Sequence, residues 1–286
     1  MRFLQSHQLS FTTLSPVHIG SSETYEPTNY IIEDDALYEF NAQQAIDALG
    51  KEVCSELLGI VNGRPDETLL KNVQGFFYKH REALIAVSGH YLPAGEGVTD
   101  LYQVRIGKTA QRESNSRHVI NKLEIERTAY NPWDRRPVFP GSSIKGAIRT
   151  ALLDAVNNGQ TLPASLKDPH ARDRSGIKRG ANKSLQKMLL KGEFDTDPMR
   201  LVSISDASWD ASDDLPGSEI RFAVNRRKKI AEKGGRLIQS MAEKQGLYQL
   251  LECVSPLRYR GLESRLNLHD PGQVVQQRDR LPAFQW

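Results

Sequence analysis

Residues 138–153 read Val138-Phe139-Pro140-Gly141-Ser142-Ser143-Ile144-Lys145-Gly146-Ala147-Ile148-Arg149-Thr150-Ala151-Leu152-Leu153. The Pro-Gly pair near the start is typical of a turn, because proline fixes φ and glycine adopts conformations that other residues avoid. The apolar residues that follow recur at helical spacing. The stretch therefore predicts a turn at residues 140–141, followed by a helix that runs to about Asn157.

The predicted start of this helix has the features of an anion site. Ser142 or Ser143 is expected to accept from the first free backbone N–H groups, and the helix dipole favours negative charge there. Lys145 and Arg149 are four residues apart, so they share a face and reach the same or adjacent phosphates. The alternative is an ordinary capped helix with two solvated cations. Gly146 costs up to about 1 kcal/mol relative to alanine inside a helix, which suggests that chain or ligand approaches the backbone closely.

The opposite face of the helix is predicted to be a buried apolar stripe. Its members are Ile144, Ala147, Ile148, Ala151 and Leu152. The stretch is not a Walker loop, because that motif places lysine after the second glycine and before serine or threonine. Here the lysine precedes the glycine, so the motif gives no support to nucleotide hydrolysis.

Outward from this helix, the sequence predicts strands and helices without a strict βαβα alternation. We expect strands at residues 9–13, 30–32, 36–40, 101–106, 123–126, 200–205 and 219–224, and a final hairpin that pairs 247–254 with 257–268. Helices are expected after Asn41, from about Asp66, from Ser184 and through residues 237–241. This mixture favours an α+β fold with largely antiparallel sheets.

Composition places few limits on function. The chain has 286 residues, 38% hydrophobic and 26% charged, and a net charge of only +3, which does not demand a polyanionic partner. Its two cysteines, Cys54 and Cys253, have no metal-ligand spacing, which favours a reduced compartment. The sequence shows no apolar run of membrane-spanning length and no signal peptide. We therefore expect a cytoplasmic protein with no membrane partner.

A second motif lies near the N-terminus, in Ser15-Pro16-Val17-His18-Ile19-Gly20-Ser21-Ser22. Pro16 and Gly20 bracket a strand exit, and the glycine permits close approach to the backbone. His18 is able to stack on a base or donate to a phosphate. A structural hydrogen bond is the alternative for a single histidine at a strand end.

Basic and aromatic residues supply further candidate contacts to a nucleic acid. Residues 167–191 and 226–229 are rich in lysine and arginine, and they either neutralise phosphates or form a solvated face. Upstream of the helix motif, aromatic side chains lie beside arginines, a combination suited to stacking on single-stranded bases or to a small packing cluster. The additional candidates are Trp133, Arg135, Arg136, Arg226 and Arg227.

Catalytic and metal-binding patterns are weak. The seven histidines show no metal-ligand spacing, and there is no Gly-x-Ser-x-Gly elbow. Asp206, Asp210, Asp213 and Asp214 form an acidic group after a predicted strand, for which a solvated loop and a metal site are both possible interpretations. We assign no catalytic residue, no metal and no cofactor.

The two motifs together resemble those of the RAMP superfamily. Residues 15–20 resemble its opening strand motif, and residues 131–150 its "PGSSLKGxxR" motif. With residues 197–208, the chain is most similar to the Csm-type subunit that caps the crRNA 3′ side in type III-A CRISPR effector complexes.

The resemblance implies two ferredoxin-like, RRM-type modules with insertions. The expected bounds are 1–160 for the first module with a helical insertion at about 41–90, 161–195 for a basic linker, and 196–286 for a second module that is reduced or completed by a partner. It also implies packing against backbone RAMP subunits, and crRNA, with target RNA, as nucleic-acid partners. The residues implied to contact RNA are His18, Gly20, Ser21, Gly141, Ser142, Ser143, Lys145, Gly146 and Arg149.

Related backbone subunits cleave target RNA with a loop aspartate and a divalent metal. The matching stretch here, residues 21–29, contains Glu23 and Glu26 but no aspartate. The resemblance therefore implies a non-enzymatic subunit that assists crRNA 3′-end maturation and assembly in antiviral defence. Two alternatives stay open: a metal-dependent ribonuclease that uses Glu23, Glu26 or the acidic group, and a pure assembly protein.

Overall fold

The computed structural model describes residues 3–63, 67–107, 123–161, 163–167, 180–190, 197–210, 215–224, 231–233, 236–238 and 248–270. The predicted α+β class is confirmed by the mixture of helices and several sheets. The chain divides into two compact units, and each unit is built from separate stretches of sequence. One consists of residues 1–12, 138–211 and 260–286, and the other of residues 13–137 and 212–259. These units differ from the expected bounds 1–160, 161–195 and 196–286.

The first unit is organised around a long C-terminal strand. Its five-stranded sheet has the order β1-β14-β9-β7, and β8 also pairs with β14. Helices α5 and α6 and two short 3-10 helices, Ala164–Leu166 and Pro198–Leu201, complete the unit. The elements are β1 (Leu4–Thr13), β7 (Val138–Phe139), α5 (Gly141–Asn157), α6 (Ala181–Leu190), β8 (Val202–Ile204), β9 (Ala207–Trp209) and β14 (Arg258–His269).

The second unit contains a four-stranded sheet, a three-stranded sheet and a two-stranded sheet. Their orders are β10-β13-β6-β2, β3-β4-β5 and β11-β12. The strands are β2 (Gly20–Tyr25), β3 (Tyr30–Glu33), β4 (Ala36–Glu39), β5 (His90–Pro93), β6 (Ile125–Thr128), β10 (Ser218–Val224), β11 (Ala231–Lys233), β12 (Arg236–Ile238) and β13 (Tyr248–Val254). The helices are α1 (Ala42–Val61), α2 (Glu67–Lys79), α3 (Arg81–Ala86) and α4 (Glu96–Arg105).

Strand β3 separates two apolar cores because successive side chains on a strand point to opposite faces. Ile32 packs with Tyr102 and Ile125 in the core between the sheets and α4. Ile31 packs with Phe76 and Leu84 in the core of the helical insertion. One short strand therefore anchors α1, α2 and α3 to the sheets.

Local signals located most of the elements correctly. The helix after Asn41 is confirmed: Asn41 Oδ1 accepts from the Gln44 N–H at 2.9 Å, and Gln44 Oε1 accepts from the Asn41 N–H at 2.8 Å. The hairpin of β3 and β4, the helix from residue 141 to Asn157 and the helix at 181–190 also agree with the predictions.

Three predictions of secondary structure and strand pairing are wrong. Residues 101–106 were expected to be a strand but lie mostly in α4, where Val98, Thr99 and Tyr102 are buried at helical spacing. Leu237 and Ile238 were expected in a helix but lie in β12. The final hairpin does not form, because β13 pairs with β10 and β6 while β14 pairs with β8 and β9.

Candidate nucleic-acid interface

Gly141 is required by the close packing at the start of α5. A Cβ atom at this position would lie 2.2 Å from the Ile204 carbonyl oxygen, a contact that the backbone of β8 does not permit. The Gly141 N–H donates to Asp206 Oδ1 at 2.7 Å. The helix start therefore binds a carboxylate of its own unit, in line with the preference of helix N-termini for anions.

The predicted serine cap is wrong. The residue before the helix is Pro140, which makes no side-chain cap, and Ser142 and Ser143 lie exposed within the first turn. The physical reason is that the helix begins at Gly141 itself, one residue before the serines. Asp206, which was considered as a metal ligand, takes the capping role instead.

Lys145 and Arg149 turn toward their own unit. Lys145 Nζ donates to the Val202 carbonyl oxygen at 2.8 Å. The Arg149 guanidinium forms a two-point ion pair with Asp197, with N–O distances of 2.9 and 2.6 Å, and also donates to Gln186 Oε1. Burial raises the pKa of Asp197, but the hydrogen bonds from Arg149 and from the Met199 N–H outweigh it, so that pKa lies below its ordinary value.

From residue 142 to residue 151, the exposed face of α5 consists of small residues. Ile144 is buried and Ile148 and Leu152 are half-buried, as predicted, but Ala147 and Ala151 are exposed, so that part of the predicted stripe is wrong. The two cations take the inward positions because Val202 and Asp197 lie beneath them. The exposed positions in this part of the helix are occupied by small residues: Ser142, Ser143, Gly146, Ala147, Thr150 and Ala151.

Gly146 is exposed, and apart from its chain neighbours and the adjacent helix backbone, no described atom lies within 4 Å of the position that a Cβ would take. The glycine is therefore not required by packing within the described residues, in contrast to Gly141.

The second motif lies in the other compact unit. Val17 bridges Val254 through hydrogen bonds of 3.2 and 2.7 Å, which places His18 beside the edge of β13. His18 Nδ1 lies 2.7 Å from the Glu252 carbonyl oxygen, which matches the structural alternative for this histidine. Gly20 is exposed, and Ser21 Oγ donates to the Arg127 carbonyl oxygen at 3.2 Å.

A buried charged cluster beside this motif was missed from the sequence. The Arg127 guanidinium packs 4.5 Å from the ring centroid of Tyr25 and 4.0 Å from that of Tyr130. Its Nε lies 3.8 Å from Glu252 Oε2, and the two side chains are only 8% and 2% exposed. Burial raises the pKa of Glu252 above its ordinary value, despite the hydrogen bond from Ser218 and the charge of Arg127. The sequence contained a signal for this cluster. Side chains two residues apart on a strand share a face, so Arg127 is expected on the same buried face as Ile125.

The two glutamates considered as nuclease residues already have partners within this unit. Glu23 Oε2 accepts from Tyr130 Oη at 2.8 Å and from Arg127 at 3.4 Å. Glu26 Oε1 accepts from Thr24 Oγ1 at 2.8 Å. Among the residues that the structure describes, no group of three His, Cys, Asp or Glu side chains is placed to hold a metal ion.

Three of the aromatic and basic candidates, Trp133, Arg135 and Arg136, occupy a loop between β6 and β7. Trp133 is 95% exposed and Arg136 is exposed, whereas Arg135 forms an ion pair with Glu39. Arg226 and Arg227 lie outside the described residues, as does most of the basic stretch 167–191. No helix in the described part of the chain is long and apolar enough to cross a bilayer.

Comparison with protein-family models decides the family: residues 10–268 match the RAMP superfamily. The chain belongs to the RAMP superfamily. Residues 15–20 and 131–150, on which the resemblance was based, both lie inside the matched range.

Individual relatives are more distant. The CRISPR system Cms protein Csm5 of Streptococcus thermophilus is 26% identical over 155 residues, a match that spans 53% of this chain and 39% of that protein. The crystal structure of T. onnurineus Csm5 superposes with a TM-score of 0.53 at 17% identity, over 95% of this chain and 70% of that one. A chain of a type III-A Csm-crRNA-target RNA ternary complex has a TM-score of 0.48 at 16% identity, over 94% of this chain and 65% of that one.

Proposed function

We propose that this chain is a crRNA-binding capping subunit of a type III-A CRISPR effector complex of the Csm type. Membership of the RAMP superfamily and 26% identity to a Csm5 protein support the proposal. Its nucleic-acid partners are crRNA and, within the assembled complex, target RNA, and its protein partners are backbone RAMP subunits. It assists crRNA 3′-end maturation and assembly without cleaving RNA itself.

The ferredoxin-like character of the modules is part of this proposal. A ferredoxin-like sheet has four strands, with a parallel central pair flanked by antiparallel edges. The sheet β10-β13-β6-β2 has that arrangement, since β13 and β6 are parallel while β10 and β2 pair antiparallel with them. This pattern supports an RRM-type module in the second unit.

The observation that carries the RNA-binding role is the exposed small face at the start of α5. The exposed serine hydroxyls and a glycine without a side chain let a phosphate chain approach closely. Lys145 uses one of its three N–H donors on Val202 and is only half-buried, and in this proposal it offers the other two donors to a phosphate. Arg149 has a different role in this proposal: it holds Asp197 and Gln186 and fixes the position of the helix.

The non-catalytic role has support of its own. One carboxylate oxygen of Glu23 accepts from Tyr130 and Arg127, and one of Asp206 accepts from the Gly141 N–H, so both side chains have a structural role in the fold. Labelled RNA incubated with pure protein and Mg²⁺ should stay intact. Fixed-spacing cleavage that EDTA abolishes would support the ribonuclease alternative instead.

RNA sequencing tests the proposal directly. The tagged chain, isolated from cells that express its CRISPR locus, should carry short RNAs that share a repeat-derived 5′ end. Recovery of the complex without RNA, or with unrelated RNA only, would contradict the crRNA-binding role. Nuclease treatment before isolation distinguishes the crRNA-binding role from that of a pure assembly protein. A pure assembly protein predicts that the complex assembles identically without RNA.

A further inference from the structure

We propose that Trp133 is a protein-docking anchor, which inserts into an apolar pocket of another subunit instead of stacking on RNA. This inference rests on the proposed function, since the partner is taken to be a subunit of the same effector complex. The supporting observations are the exposure of Trp133, the rigidity of its loop and the balance of charges around it.

Trp133 is an unusual side chain to leave in water. It is 95% exposed, although a tryptophan carries one of the largest apolar surfaces of any residue. Single exposed apolar residues are common, so exposure alone does not define a contact site. The rigidity of the loop is what distinguishes this one.

Hydrogen bonds hold the loop from Asn131 to Arg136 closed on itself. The Asn131 N–H donates to the Arg136 carbonyl and the Arg135 N–H donates to the Asn131 carbonyl, both at 2.8 Å. The Asn131 side chain accepts from the Trp133 N–H at 3.1 Å, and the Asp134 side chain accepts from the Arg136 N–H at 3.0 Å.

The base of the loop is pinned as well. Tyr130 and Pro137 form a β-bridge, Arg135 is ion-paired to Glu39, and the Arg135 guanidinium lies 5.6 Å from the Tyr130 ring centroid. The loop is therefore organised before any partner binds, which lowers the entropy lost when Trp133 is immobilised. Tryptophan is one of the residues that are enriched among the hot spots of protein–protein interfaces.

The charges near the loop favour a protein over RNA as the occupant. Aromatic platforms for single-stranded RNA lie in positively charged grooves that follow the phosphates. Here the guanidinium of Arg135 is neutralised by Glu39, and that of Arg127 faces Glu23 and Glu252. His90 adds no charge at neutral pH, because burial and then the nearby Arg135 and Arg127 lower its pKa to about 4.

The exposed rim of the loop carries one charge of each sign, on Asp134 and Arg136. Its complement is an apolar pocket bordered by one acidic and one basic side chain. A phosphate chain would gain from Arg136 but would be repelled by Asp134, so the rim offers it no net attraction. A protein surface satisfies both charges at once.

Oxidative footprinting of the whole complex tests the proposal. Hydroxyl radicals should oxidise Trp133 at least about 10-fold more slowly in the complex than in the free chain, and this protection should survive digestion of the RNA by nuclease. Protection that disappears with the RNA would assign Trp133 to a nucleobase. Equal oxidation of Trp133 in the free chain and in the complex would show that it is not an interface residue. Either result overturns the proposal.

Substitution supplies the second measurement. Trp133→Ala should weaken association with the other subunits on the order of 30-fold, as for a hot-spot residue, while the isolated chain binds single-stranded RNA with unchanged Kd. Leu58→Ala, which removes another exposed apolar side chain from α1, is the matched control and should change neither. A loss of RNA affinity with normal assembly would contradict the proposal. If the wild-type chain carries neither RNA nor other subunits, the proposed function itself fails.

Discussion

The start of α5 and the Arg127 cluster both contain arginine–carboxylate pairs, but the two regions differ in burial and geometry. Arg149 meets Asp197 in a two-point pair with a 2.6 Å contact, and both side chains are more than 15% exposed. Arg127 meets Glu252 at 3.8 Å, in a place where both side chains are less than 10% exposed. The first pair positions a surface helix at modest cost, whereas the second makes a buried region depend on two desolvated charges.

The two sequence motifs show a further difference, between side chains that make contacts within the fold and side chains that are exposed. In the Gly141 motif the cations face inward and the small residues face outward. In the His18 motif the imidazole contacts the Glu252 carbonyl oxygen. Arg149 and His18 therefore make contacts within the fold, and the residues with little side chain form the exposed surface.

Breaking the buried pair should have the largest effect on stability. Glu252→Ala leaves the buried Arg127 guanidinium with the half-exposed Glu23 as its remaining carboxylate partner, and we expect it to lower the free energy of unfolding by about 3 kcal/mol. Chemical denaturation followed by circular dichroism measures this. The double variant Arg127→Met with Glu252→Leu should recover most of the loss, and a double variant as unstable as Glu252→Ala would show that the charges stabilise the fold on balance.

The same substitution at two glycines of α5 should have opposite effects. Gly141→Ala forces a Cβ against the backbone of Ile204 and should cost about 2–3 kcal/mol. Gly146→Ala meets nothing within 4 Å and should stabilise the helix by up to about 1 kcal/mol. Thermal melts of the two variants beside the wild type check both signs. Equal destabilisation would mean that Gly146 is also required by packing.

Arg149 and Lys145 should separate into a fold residue and an RNA residue. Arg149→Ala leaves Asp197 partly buried without its partner and should cost about 1–2 kcal/mol, while Lys145→Ala costs less than about 1 kcal/mol. Lys145→Ala should weaken RNA binding uniformly across sequences and lower the salt slope.

Asp197→Ala is the matched control for this pair. If it lowers RNA affinity as much as Arg149→Ala does, Arg149 acts by positioning the helix. If Arg149→Ala lowers the salt slope while Asp197→Ala leaves it unchanged, Arg149 contacts phosphate directly.

The two carboxylates should give opposite pH dependences, each amounting to about 1 kcal/mol or less. The pKa of Asp197 is lowered on folding, so its contribution to stability is present above the ordinary pKa of 3.8 and is lost as pH falls through the folded value. The pKa of Glu252 is raised, so its contribution is present below the ordinary pKa of 4.5 and is lost as pH rises through the folded value. The free energy of unfolding should be measured by denaturation from about pH 3 to about pH 8. Asp197→Asn should abolish the loss of stability at low pH, and Glu252→Gln should abolish the loss of stability as pH rises. Two slopes of the same sign would contradict the comparison.

Sequence reasoning succeeded where the signal is local. The capping box of Asn41 and Gln44 fixes the start of α1, and the spacing of apolar residues after Gly141 fixes the length of α5. The RAMP family was also recognised from two short motifs. Each motif contains proline and glycine at a turn or strand exit, where few other residues adopt the required backbone conformation.

Failures occurred where distant residues decide the outcome. Strands β13 and β14 were each predicted, but their partners β6, β10, β8 and β9 come from other parts of the chain. The inward direction of Lys145 and Arg149 depends on Val202 and Asp197, about fifty residues later, and Asp206 replaced the serine cap for the same reason. Periodicity alone carries no information on such contacts.

The most direct test of the central claim is the RNA affinity of Gly146→Glu. The substitution adds one negative charge to the exposed small face of α5, where only the adjacent helix backbone lies near the new Cβ, and glutamate is a good helix former. We expect normal folding and at least about 10-fold weaker binding of single-stranded RNA at low salt, while Val156→Glu, at the exposed far end of the same helix, leaves the affinity nearly unchanged. Unchanged affinity in Gly146→Glu would contradict the claim that RNA passes over this face.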